Sequence, residues 1–193
     1  DLAGNLKTLR ARTCYEIANN PILEGVVNTH ATDIMGPDGP RLQVLSDSDA
    51  YNDFVEDFWA DWFGMPDINA QLSGPELLRQ CVSLWWSKGE HLLQLVSQPD
   101  TPADEISLKV LALDPDRLDT DPASMGDPDV ALGVRRNKNG RPLAYQISDP
   151  ENYGPYQVLL TKFNEYPADE IIHQFLAVEP GQVRGFPWAA SSL

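Results

Sequence analysis

The most regular alternation of apolar and polar positions lies in "AYNDFVEDFWADWFG", residues 50–64. Tyr51, Phe54, Val55, Phe58, Trp59, Trp62 and Phe63 recur at helical spacing and predict one broad apolar stripe. Asn52, Asp53, Glu56, Asp57 and Asp61 mark the opposite face, which reads as a solvated surface rather than a metal site. The aromatic content of the stripe predicts that Phe54, Phe58, Trp59 and Trp62, joined by Trp85, belong to the main hydrophobic core.

Capping signals delimit the other helices. "NNP" makes Asn20 an N-cap and Pro21 the first helical residue, with Gly36 as terminator, so 21–35 is predicted helical. "LRAR" before it belongs to another helix, turned by the Asn-Asn-Pro break. In "SGPELLRQCVSLWWSKGE", Ser73 and Glu76 form a capping box, Pro75 sits in the first turn and Gly89 ends the helix. "RLQVLS" at 41–46 alternates like a short strand.

After residue 90 the pattern becomes β. "EHLLQLVS" reads as a strand, 98–104 as a Pro- and Asp-rich loop, and "EISLKVLAL" as a second strand. "VALGVRRNKNGRPLAYQIS" reads as a hairpin in which Asn139 and Gly140 supply positive φ angles. "YQVLLTKFN" and, after a turn at Pro167, "YPADEIIHQFL" are further strands. The expected fold class is α+β, helices first and a mostly antiparallel sheet second. The division expected is 1–36 for the N-terminal helices, 37–179 for a helix and sheet core, and 180–193 for a junction, all within one domain.

Composition narrows the function. The net charge of −15 opposes ordinary phosphate-contacting nucleic-acid binding, and the cations Arg135, Arg136, Lys138 and Arg141 gather only locally around the hairpin. No apolar run approaches the ~20 residues of a membrane span and no signal peptide opens the chain, so a cytosolic protein is expected. Cys14 and Cys81 stand apart and read as packed, reduced thiols.

Candidate chemistry is sparse. His30, His91 and His173 lack metal-ligand spacing, and His173 within an apolar strand reads as a hydrogen-bonded imidazole of the core. "DPD" at 114–116 and 127–129 reads as turn-forming, and "DSDAYNDFVED" lacks the glycine of an EF-hand loop. No nucleophile elbow, phosphate loop or dinucleotide fingerprint occurs. A hydrolase pairing His173 with Glu170 or Asp169 meets the objection that strand alternation separates His173 and Glu170 to opposite faces. Neither a cofactor nor a metal is expected. A general protein-interaction domain is the other alternative.

Six stretches, in order, resemble the lambda-type family of tailed-phage portal proteins: "RARTCYEIANNPILEGVVNTHATDIMGPDGPRLQ", "FVEDFWADWF", "LLRQCVSLWWSKGEHLLQL", "LALDPDRLDTDP", "NKNGRPLAYQI" and "YPADEIIHQFLAVEPGQVRGFPW". The resemblance implies the wing-like part of a structural ring subunit, a channel at a capsid vertex through which DNA is packaged and ejected. It implies as partners other portal subunits in a dodecameric ring, capsid or scaffold proteins, terminase and head-completion proteins, and duplex DNA passing without sequence-specific binding. No membrane is involved, and the place is the virion portal vertex, with host cytoplasm during assembly. The family's channel-lining and motor-docking parts follow the Pro-Trp landmark and are not expected in this stretch.

That landmark is "PGQVRGFPW", residues 180–188, with Gly181, Gln182, Arg184, Gly185 and Trp188 as candidate structural or interaction residues. Gly181 and Gly185 are expected to adopt backbone angles closed to other residues, and Pro180 and Pro187 to fix φ. Arg184 offers a fork of donors to hold the junction's shape or to grip the next subunit. Its loss is expected to impair ring assembly more than the stability of this domain.

Overall fold

The computed structural model describes residues 2–98, 106–148 and 162–192. Helices α1 (Leu2–Asn19) and α2 (Pro21–Met35) meet at the expected break. Asn20 is extended there, and its side chain accepts from Ile22 N at 3.1 Å and Leu23 N at 3.3 Å. Gly36, at φ +68°, closes α2 by donating to Thr32 O. Helices α3 (Asp49–Gly64) and α4 (Gly74–Ser87) follow, and Glu76 reaches back to accept from Ser73 N at 2.8 Å and Oγ at 2.6 Å.

The segment 41–46 is not a strand. Its alternation finds no neighbouring strand among the described residues, and Val44 N instead donates to Glu56 Oε1 at 2.8 Å on α3. Unpaired backbone there is satisfied by a side chain rather than a ladder.

Strands β1 (Glu90–Ser97), β2 (Leu108–Leu113) and β7 (Ile171–Phe175) form one antiparallel sheet in the order β2-β1-β7. Strands β3 (Val130–Ala131), β4 (Val134–Arg136), β5 (Pro142–Ser148) and β6 (Phe163–Pro167) form a second, in sequence order. The chain is α+β, with four helices ahead of two antiparallel sheets among the described residues. Residues 99–105 of the predicted loop and second strand, and 156–161 of the "YQVLLTKFN" strand, lie outside the described residues. In the β4–β5 hairpin only Gly140 takes a positive φ, +82°. Asn139 does not, because Asn137 Oδ1 shapes the turn by accepting from Asn139 N and Arg141 N.

The core lies in two layers around β1. Leu92, Leu113, Leu118, Val134, Tyr145, Ile147 and Ile171 fill the space between the sheets. Leu77 and Cys81 of α4 meet Leu93 and Val110 on the other side. Successive strand residues point to opposite faces, so Leu92 and Leu93 serve different layers. With both faces covered, the first four residues of β1 are all buried.

The α3 stripe is not this core, contrary to its periodicity. No residue of α3 is fully buried, and Phe54 is 64% exposed. Trp59 and Trp62, 5.0 Å apart, are half-buried, and Trp62 packs onto the α4–sheet layer while Nε1 donates to Leu108 O at 2.6 Å. Trp85 is likewise half-buried, at the opposite end of α4. Periodicity identifies the residues that share a face, and the tertiary neighbours decide how much of it is covered.

Leu92→Ala should therefore lower unfolding free energy by about 2–5 kcal/mol, as expected for a truncated core leucine. Phe54→Ala should cost less than about 1 kcal/mol. Urea denaturation of both variants checks the assignment, and a larger loss at Phe54 would contradict it.

Candidate functional site at a buried charge junction

Helix α4 gives way to β1 through Gly89, whose φ of +82° favours glycine. Space demands it too, because a Cβ there would lie 2.0 Å from the backbone of Phe186. The turn delivers Glu90 to the start of β1 with its side chain fully buried. A carboxylate in such a place is costly unless paired and hydrogen-bonded.

Glu90 is surrounded by donors from three parts of the chain. Oε1 accepts from Arg184 Nε at 2.7 Å and lies 2.6 Å from Arg184 Nη2 and 2.7 Å from Arg10 Nη2. Oε2 accepts from Gly185 N at 2.7 Å and meets His173 Nε2 at 3.1 Å. A carboxylate only accepts, so that imidazole nitrogen carries the hydrogen. Burial alone would push the Glu90 carboxyl up, but the hydrogen bond from His173 and the charges of Arg184 and Arg10 hold it well below the usual carboxylate range.

A second pair of carboxylates completes the balance. Arg10 donates through Nε to Lys88 O at 2.9 Å and through Nη1 to Asp116 Oδ1 at 3.0 Å. Lys88 Nζ donates to Asp114 at 2.6 Å and Asp116 at 2.5 Å. Burial pulls the Lys88 ammonium down, and the hydrogen bonds it donates to both aspartates, with their charges, more than offset this. Three cations, Arg10, Lys88 and Arg184, thus face three carboxylates, Glu90, Asp114 and Asp116. Both Asp-Pro-Asp stretches also form the predicted turns, Asp114 Oδ1 accepting from Asp116 N and Asp127 Oδ1 from Asp129 N.

All five candidate residues of the 180–188 stretch are placed by this junction or next to it. Gly181 has φ +77° in open space. Gln182 shapes the loop, its Oε1 accepting from Val178 N at 2.8 Å and its Nε2 donating to Arg184 O at 2.7 Å. Arg184 is 5% exposed, and beyond Glu90 it donates to Leu118 O at 2.6 Å, Leu132 O at 3.0 Å and Pro115 O at 2.7 Å. These four hydrogen bonds all lie within the chain. Gly185 does not take a positive φ; it is required by space, since a Cβ would lie 1.9 Å from Gly89 O. Trp188 stacks on Trp85 at 5.4 Å and meets Trp86 edge-on at 6.0 Å, and Trp86 Nε1 donates to His30 Nδ1 at 2.8 Å.

Sequence reasoning missed Arg10, Gly89, Glu90 and Asp116 as members of this site. A charged residue opening the otherwise apolar "EHLL" was the available signal for Glu90. His173 takes Glu90 as its partner, whereas Asp169 and Glu170 are exposed. Among the described residues no group of His, Cys, Asp and Glu could hold a metal ion. Of the hairpin cations, Arg135 is taken by Asp127 at 2.8 Å and Glu165 at 2.9 Å, which leaves a smaller patch than the sequence suggests.

The sequence profile of the phage portal proteins, lambda family, matches residues 1–193. The chain belongs to that family. Portal proteins are structural, so neither the hydrolase nor the general interaction domain stands as a reading of this member. Its fold is similar to a chain in the solved neck of an empty GTA particle computed with C6 symmetry, with a TM-score of 0.56 and 15% identity. The match covers 97% of this portal chain and 40% of the solved one, so the chain spans less than half the length of that structure.

Replacing Glu90 by Gln should destabilise the fold by about 3–5 kcal/mol, since two buried guanidinium groups lose their anion. The junction also sets an acid response. His91 is buried beside Trp85, and burial, reinforced by His173, lowers its pKa to about 4 from 6.5. The unfolded chain then binds the proton more readily, so stability falls by roughly 3 kcal/mol as pH drops from 6.5 to 4. The depressed Glu90 adds a further loss below its ordinary value of 4.5. Urea titrations across this range should show the first loss removed in His91→Gln and retained in the wild type.

Proposed function

We propose that this chain is the outer, wing-like α+β part of a portal ring subunit, a single unit over residues 1–193. The observation that carries the reading is the family match along the entire chain. In this reading the channel-lining helices and the motor-docking segment belong to other parts of the subunit. The subunit would assemble with copies of itself, twelve to a ring, at the capsid vertex. Capsid or scaffold proteins would hold the ring in the virion, terminase would dock on it during packaging, and head-completion proteins afterwards.

In this reading Gly181, Gln182, Arg184, Gly185 and Trp188 form the strap that leaves the wing. Arg184 and Gly185 fix it to Glu90, and Trp188 fixes it to α4. Because the contacts of Arg184 are internal, its loss acts on the wing before it acts on assembly. DNA would pass the ring without sequence-specific contacts, since a net charge of −15 repels a polyanion.

Native mass spectrometry and negative-stain imaging of the protein with its complete chain should reveal rings. A protein that stays monomeric at every concentration would refute the assignment. In Arg184→Ala, stability and ring yield should fall together; rings lost from a wing of unchanged stability would instead make Arg184 an intersubunit contact.

The isolated 193-residue chain should bind random duplex DNA no tighter than micromolar at physiological salt, a range typical of non-specific contacts. Fluorescence anisotropy with a labelled duplex measures this. A submicromolar, salt-sensitive complex would contradict the passive role.

A further inference from the structure

Two exposed surfaces on opposite outer layers of the molecule are complementary. On α3, Tyr51 is 57% and Phe54 64% exposed, and Phe54 stacks on Phe58 at 5.8 Å. Asp53 and Asp57, at i−1 and i+3 from Phe54, lie beside that ring rather than on the opposite face expected from the sequence, both exposed and neither ion-paired among the described residues. The stripe is thus an aromatic edge beside a row of uncompensated carboxylates. Such a combination of apolar area and unbalanced charge is typical of a surface awaiting a partner.

The β4–β5 hairpin carries the opposite chemistry. Residues 138–143 are all exposed, and Lys138 and Arg141 flank the turn without an ion pair among the described residues. Leu143, 50% exposed, places an apolar side chain next to them. Most other cations are already engaged: Arg10, Lys88, Arg135 and Arg184 by carboxylates within the fold, Arg79 and Arg117 by carbonyls. In a chain of net charge −15, this turn is therefore a concentrated source of positive charge unpaired among the described residues.

The two surfaces cannot satisfy each other within one copy as folded, since α3 packs on the α4 side of the β1 sheet and the hairpin belongs to the second sheet beyond it. We infer that the hairpin tip of one copy docks on the α3 face of the next, Lys138 and Arg141 pairing with Asp53 and Asp57 while Leu143 covers Phe54. Arg141 can also lie over the Phe54 ring as a cation on an aromatic face. Two different patches joined head to tail generate a ring when the rotation closes. The inference rests on the ring reading above and specifies one of its intersubunit contacts.

The test uses the protein with its complete chain. Lys138→Glu with Arg141→Glu, and separately Asp53→Lys with Asp57→Lys, should each raise the subunit concentration needed for half-assembly by about tenfold or more, since like charges then face each other. The four-site exchange should restore assembly towards the wild-type concentration. Thermal melts of the free subunits should be little changed, because all four positions are exposed. Rings that form normally in both double variants, or no recovery in the four-site variant, would overturn this contact and leave the ring reading intact. A wild-type protein that forms no rings would overturn both.

Discussion

One fully buried carboxylate, Glu90, sets the arrangement of this fold. It lies where α4 becomes β1; it is ion-paired with Arg10 of α1, and it accepts from β7 through His173 and from the 180–188 strap through Arg184 and Gly185. Removing an ion from water costs several kcal/mol, so the carboxylate is tolerable only when its partners are present together. Such a group contributes less through net stabilisation than through what it forbids. Any packing that withdraws one arginine leaves the buried carboxylate with only one of its two guanidinium partners.

The rest of the fold is organised so that this set can close. Gly89 and Gly185 let two backbones touch where any side chain would separate them. Leu92, two residues after Glu90 on the same face of β1, carries the apolar continuation of that contact between the sheets. Leu93 turns to the other face and ties the strand to α4. Polar and apolar burial therefore start from one strand, and neither layer can be displaced without disturbing the other.

What the sequence made legible was local. The Asn20 cap, the Ser73–Glu76 box, the Gly36 and Gly89 terminators and the β4–β5 hairpin depend on residues within a few positions of one another, and all are present. The location of the core was not legible, because an apolar stripe on α3 says nothing about what covers it. Nor was the alternation at 41–46 decisive, since a strand requires a neighbour that the segment does not find among the described residues. The irregular "PGQVRGFPW" runs through the buried charge cluster, but its partners lie far away in sequence, with Arg184 94 residues from Glu90. Spacing rules do not reach that far. Gly185 shows the same limit: its conformational freedom was the natural reading, whereas its actual constraint is the carbonyl of Gly89.

The separation of Arg184 from Glu90 also has a consequence for how the chain is made. Synthesis is vectorial, and at about 5–20 residues per second the ribosome adds Arg184 on the order of 5–20 s after Glu90. During that interval α1 can supply Arg10, but His173 and the strap do not yet exist. The β1 carboxylate must remain hydrated, and the sheet that will bury it stays open until the C-terminal segment emerges. Closure of the charge cluster around Glu90 therefore waits for the translation of Arg184.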